Sequence, residues 1–166
     1  MADWEQDPVC HMQVPAASFA TEYSGIKYAF CSVQCQQRFL ANPHLYIGFP
    51  GIKAPAQEGL QLIKSRRLCF AYPLDTIQAQ RVQEALTSMM GVEDVRIERD
   101  RMDIQYDLML VTEEQIEKEL ISVGIALGQG WAYRLRHAFI HFEEEFEIDN
   151  LEVTKNKKGG FEVGGN

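Results

Sequence analysis

Tyr23-Ser24-Gly25-Ile26-Lys27-Tyr28-Ala29-Phe30-Cys31-Ser32, residues 23–32, decides how the first quarter of the chain folds. Ser24-Gly25 is a turn signal between two aromatic-bearing runs, Phe19 to Tyr23 and Ile26 to Phe30, so the stretch predicts a β-hairpin. Ser32 then supplies the cap of a short helix through Gln34, Cys35, Arg38, Phe39 and Leu40, which Asn42-Pro43 stops. Twenty residues separate Cys10 from Cys31 and three separate Cys31 from Cys35. The last two therefore lie about one helical turn apart, and the hairpin folds Cys10 back towards them. Cys35 falls in the first helical turn, where the dipole and free amides favour a thiolate. A unit of about 45 residues buries too little apolar surface to offset its chain entropy and needs a staple. Three converging thiolates on one metal ion are the candidate, with buried inert thiols as the plainer alternative.

Asp7-Pro8-Val9-Cys10-His11-Met12, the 23–32 stretch, Cys35, Phe39, Pro43 and Tyr46 together resemble a YHS domain, a member of the TRASH metal-binding group, over residues 5–47. The resemblance implies heavy-metal handling, often of copper and beside copper-transporting P-type ATPases, with Cys10, Cys31 and Cys35 as the ligands. The family usually has Gly after its first Cys, whereas this chain has His11, whose imidazole is one candidate for a fourth ligand. Asp7, three residues before Cys10, is the other. Zinc wants such a fourth ligand, while Cu(I) is satisfied by thiolates alone, so Cu(I) and Zn(II) both remain open.

Pro50, Gly51, Pro55 and Gly59 mark residues 48–64 as a connector. Beyond it the pattern reads strand (Leu68 to Tyr72), helix (Thr76 to Met90), strand (Val92 to Ile97), strand (Met102 to Tyr106), helix (Glu113 to Val123) and short strand (Ile125 to Leu127). The fold class is α+β: a metal-stapled hairpin and helix, then a βαββαβ ferredoxin-like domain over residues 65–128, then an amphipathic helix. Met89-Met90-Gly91-Val92-Glu93-Asp94-Val95 and its surroundings resemble a heavy-metal-associated domain of the copper-chaperone type. Such domains bind Cu(I) through Cys-x2-Cys after the first strand, and here Tyr72-Pro73-Leu74-Asp75-Thr76-Ile77-Gln78 has no cysteine, so that site does not carry over. Cys69, among apolar neighbours, reads as core.

A last helix spans residues 129–152, ahead of a disordered tail at 153–166. Trp131, Leu135, Phe139, Phe142 and Phe146 form an apolar stripe, expected to be buried on the chain's own sheet or in a homodimer. His137 and His141, four apart, then fall on the opposite, solvent-facing side, where they are a secondary candidate metal pair.

Among 166 residues, 16 basic against 24 acidic side chains give a net charge of −8, which opposes nucleic-acid binding. Met1 to Gln6 has neither the basic start nor the apolar run of a signal peptide, and no stretch is long enough to span a bilayer. Four cysteines are few for a disulfide scaffold. The expectation is a cytoplasmic metal-binding protein, without enzymatic activity, that acts as a Cu(I) chaperone, buffer or sensor and meets a P-type ATPase or another metal-handling protein. The alternative is an interaction module whose first domain is stapled by zinc.

Overall fold

The computed structural model describes residues 3–159 and divides into two compact units. One comprises the chain up to Leu60 together with the residues from Glu145 onward, and the other Gln61–Glu144. The architecture is mixed α and β, with small sheets. Among the described residues no helix is long and apolar enough to cross a membrane.

The first unit opens with a hairpin that periodicity did not announce, β1 (Trp4–Gln6) paired antiparallel with β2 (Gln13–Pro15). A second hairpin follows, β3 (Thr21–Tyr23) with β4 (Ile26–Tyr28). Its first arm is shorter than the expected Phe19 to Tyr23, because Phe19 turns with φ 39°. Ser24 and Gly25 have φ of 52° and 77°, the doubly left-handed form that matches the twist of a two-residue hairpin. Helix α1 (Val33–Ala41) is capped by Ser32, whose hydroxyl accepts from the Cys35 amide, and ends at Asn42. Phe39 is fully buried at its centre, with the rings of Tyr23, Tyr28, Phe30 and Tyr46 around it. A short helix α2 (His44–Ile47) closes the unit's aromatic core.

Of residues 48–64, expected as a connector, those up to Leu60 belong to this unit and the rest to the second. Phe49 bridges Ile52, Ala54 is fully buried, and a 3-10 turn covers Ala56–Glu58. Gly48 is pressed so closely against residues 52–54 that a Cβ there would overlap the Ile52 carbonyl oxygen.

The second unit is a three-stranded antiparallel sheet in the order β5 (Ile63–Cys69), β7 (Arg101–Asp107), β6 (Val92–Glu98). Helices α3 (Thr76–Thr87) and α4 (Glu113–Ser122) follow β5 and β7, and each begins with a reciprocal capping box, from Asp75 with Gln78 and from Thr112 with Gln115. Met102, Ile104 and Tyr106 form the buried row of β7, and Val82, Leu86, Ile116 and Leu120 the buried stripes of the two helices. Helix α3 stops before the expected Met90, and Gly91 turns the chain at φ 90°. The strand expected at Ile125 to Leu127 is reduced to one bridge between Leu127 and Phe70. Cys69, expected in the core, is exposed, because the alternation of β5 buries Leu68 and turns its neighbour outward.

Helix α5 (Trp131–Gly159) runs on past the expected end at residue 152, so residues 153–159, expected as tail, are helical; residues 160–166 lie outside the described residues. The expected apolar stripe is also corrected. Phe139, Phe142 and Phe146 are each more than 60% exposed, while His137, Ile140, Glu144 and Ile148 are buried. The side chains of Trp131 and Leu135 lie outside the described set. In the second unit the inward face turns towards polar partners: the Glu144 carboxylate accepts from the Tyr106 hydroxyl and the Glu113 amide. In the first unit, Glu152 accepts from the His44 amide at 2.9 Å and from the Asn42 side chain at 3.1 Å.

Candidate metal centre

Asp7 organises the site before any metal is considered. The β1–β2 hairpin carries residues 7–12 as its loop, and the buried Asp7 carboxylate draws that loop and the end of the second hairpin together. One oxygen accepts from the Val9 amide at 2.8 Å and the Cys10 amide at 3.3 Å, and the other from the Cys31 amide at 2.8 Å. An aspartate accepting from amides two and three residues ahead is a local turn device, and the third bond makes it a tertiary clamp. Cys35 is presented from the first turn of α1, held by the Ser32 cap.

The three sulfurs meet. Cys10 Sγ and Cys31 Sγ are 3.5 Å apart, as are Cys31 Sγ and Cys35 Sγ, and all are free thiols. One donor atom from each of Asp7, Cys10, Cys31 and Cys35 lies within 4.8 Å of the others. A tetrahedral ion with bonds of about 2.3 Å to sulfur would space its thiolates by about 3.8 Å, so the donors present fit a thiophilic ion with little movement. Cys35 is buried, while Cys10 and Cys31 are partly exposed, so the cluster opens to one side.

Among the thiols, the Cys10 pKa is drawn down to about 7, chiefly by the hydrogen bond with Cys35. Burial pushes Cys31 up to about 11. Cys35 is raised by its bond to Cys10 and by burial.

The two fourth-ligand candidates separate. Asp7 joins the thiols, whereas His11 is exposed and outside the cluster. His11 has φ 65°, the left-handed backbone that glycine adopts without strain, so the histidine occupies a turn position suited to glycine.

His137 and His141 are not on a solvent-facing side. His137 is buried, with Nδ1 2.9 Å from Glu113 Oε1 and 2.6 Å from Glu117 Oε1, and the partly buried His141 has Nε2 3.4 Å from Glu117 Oε2. Burial alone would lower the His137 pKa, but the two carboxylates raise it to about 9. Burial would raise that of Glu117, and the histidines bring it to about 2. The sequence reading missed both glutamates. The available signal was the Glu113-x3-Glu117 repeat, matching His137-x3-His141 in spacing.

Searches of the curated proteins and of the solved structures returned no match. The family model of the YHS domain matches residues 5–48, the segment that holds Asp7 and all three clustered thiols.

Proposed function

We propose that this chain handles Cu(I) as a chaperone, buffer or sensor, bound through Cys10, Cys31 and Cys35. The observation that carries the reading is three free thiols in mutual contact, two of them partly exposed, within the YHS match. Soft thiolates select Cu(I), and an open face permits transfer to a partner. The setting is a reducing cytoplasm, and the protein is not an enzyme. The second unit serves as a docking module of incomplete ferredoxin-like, heavy-metal-associated type. The strand order β5-β7-β6, with Leu127 bridging beyond β5, supports that arrangement. Its partner is a copper-transporting P-type ATPase or a similar metal-handling protein.

The buried Asp7 carboxylate favours a second reading, a structural Zn(II) staple of three sulfurs and one oxygen. Elemental analysis of anaerobically purified protein, followed by Cu(I) and Zn(II) competition, separates the two. Copper handling predicts one tightly held Cu(I), a folded metal-free form, and affinity lowered by orders of magnitude when any of the three cysteines becomes serine. Unfolding on chelation and preference for Zn(II) would establish the staple instead. Unchanged affinity in all three serine variants would refute both.

A further inference from the structure

We propose that Glu113, Glu117, His137 and His141 form a second metal site, which takes a divalent first-row transition ion of zinc-like character. The four residues are two pairs, each one helical turn apart, on α4 and on α5. Spacing of four places each pair on one helix face, and within the second unit those two faces meet. One donor atom from each of Glu113, His137 and His141 lies within 4.8 Å of the others.

A buried salt bridge accounts for less of this geometry. Glu113 has no exposed surface, yet neither of its carboxylate oxygens receives an aligned hydrogen bond. His137 Nδ1 and His141 Nε2 are buried in the same state. Buried polar atoms are normally paired, and a fully desolvated carboxylate held by an ion-pair contact without an aligned hydrogen bond is costly. His137 Nδ1 comes within 3 Å of two different carboxylate oxygens and aligns with neither. The 2.9 Å contact to Glu113 and the 3.4 Å contact between His141 and Glu117 match edges of a coordination polyhedron, and the 2.6 Å contact to Glu117 has to open by a few tenths of an ångström. Bonds of about 2.1 Å place neighbouring donors about 3.0 Å apart at right angles and about 3.4 Å apart at tetrahedral angles.

The surroundings fit a held ligand. Glu144 accepts from the Glu113 amide and the Tyr106 hydroxyl, which fixes the start of α4 and with it Glu113. The Tyr133 ring lies 4.0 Å from the His137 ring, centre to centre, and covers it. His141 and Glu117 are partly exposed, which leaves an entry side. Imidazole and carboxylate together select a borderline divalent ion, and the absence of sulfur from the four disfavours Cu(I).

The test is anaerobic Co(II) titration of the full chain in a Cys69→Ser background, with Co(II) as the spectroscopic probe. Two equivalents are expected. One shows sulfur-to-cobalt charge-transfer bands and is lost in Cys31→Ser. The other shows ligand-field bands alone and is weakened at least about a hundredfold in both His141→Gln and Glu117→Gln. Both replacements are at partly exposed positions, and far-UV circular dichroism of the metal-free variants checks their fold. The wild-type stoichiometry needs no variant and stands if one of them unfolds. A single equivalent without charge-transfer bands would support this site and mean that the thiol cluster does not take Co(II). A single equivalent lost in Cys31→Ser, or a second equivalent unchanged in both variants, overturns the proposal.

Discussion

Asp7→Ala removes a buried acceptor that three backbone amides share, and its cost can be worked from the geometry. The bonds from Val9 and Cys31 are 2.8 Å long and charge-assisted; that from Cys10, at 3.3 Å, is weaker. Leaving a buried donor unpaired costs about 1–3 kcal/mol. The two short bonds therefore set a range of about 2–6 kcal/mol, and because Cys31 is partly exposed, water recovers part of it. We expect about 3 kcal/mol, a large fraction of what stabilises a small unit. For a domain of 60–100 residues this lowers the melting temperature by roughly 12–24 °C. Asp7→Asn keeps one acceptor oxygen but turns an NH2 towards one of the amides, so an intermediate loss is expected. The assay is scanning calorimetry of metal-free protein under reducing conditions, which isolates the clamp from any ligand role. Asp7→Ala within about 0.5 kcal/mol of wild type would show that these bonds do not hold the loop, and the reasoning would fail.

Phe139→Asp is expected to change stability by less than about 1 kcal/mol, because the ring is 61% exposed, whereas Ile140→Asp at a 7% exposed position should cost 3 kcal/mol or more; denaturant melts with the order reversed would restore the original stripe. Gly48→Ala should cost about 2–4 kcal/mol from a left-handed backbone at φ 67° and the contact with the Ile52 carbonyl, and a melting temperature equal to wild type would contradict that packing. Glu152→Ala should cost about 1–2 kcal/mol and accelerate hydrogen exchange at the His44 amide, which it caps; unaltered exchange there would remove the contact.

What the sequence made legible follows from how local each signal is. The Ser24-Gly25 turn, the Ser32 cap and the spacing of Cys10, Cys31 and Cys35 depend on neighbouring residues and on chemistry particular to those side chains. The β1–β2 hairpin has strands of three residues and ends on Pro15, so alternation had nothing to register. Its loop is fixed by Asp7, whose third partner, Cys31, is remote in sequence. Helix α5 failed for a different reason. Hydrophobic periodicity assigns the burial of a helix by its largest apolar side chains, and the Phe139, Phe142, Phe146 face was the obvious one. The opposite face instead meets charge with charge and hydroxyl: His137 with Glu113 and Glu117, and Glu144 with Tyr106. A pattern that scores polar residues as outward cannot anticipate a polar face whose partners lie about twenty to forty residues earlier.

Donor chemistry would keep the two proposed metal sites distinct. The first cluster offers three sulfurs and one carboxylate already engaged by three amides, so its free lone pairs are mostly sulfur and its preference is for soft ions. The second offers two imidazoles and two carboxylates with no sulfur among them, and its most buried carboxylate is the one without hydrogen bonds. Excess Zn(II) can occupy both, but Cu(I) should discriminate between them. One Cu(I) should therefore leave the histidine pair free to take a divalent ion, and prior loading with Cu(I) should leave the affinity of that second site unchanged. Cu(I) and Co(II) that displace one another at one-to-one stoichiometry would mean that the chain has a single metal site, and the division by donor type would be lost.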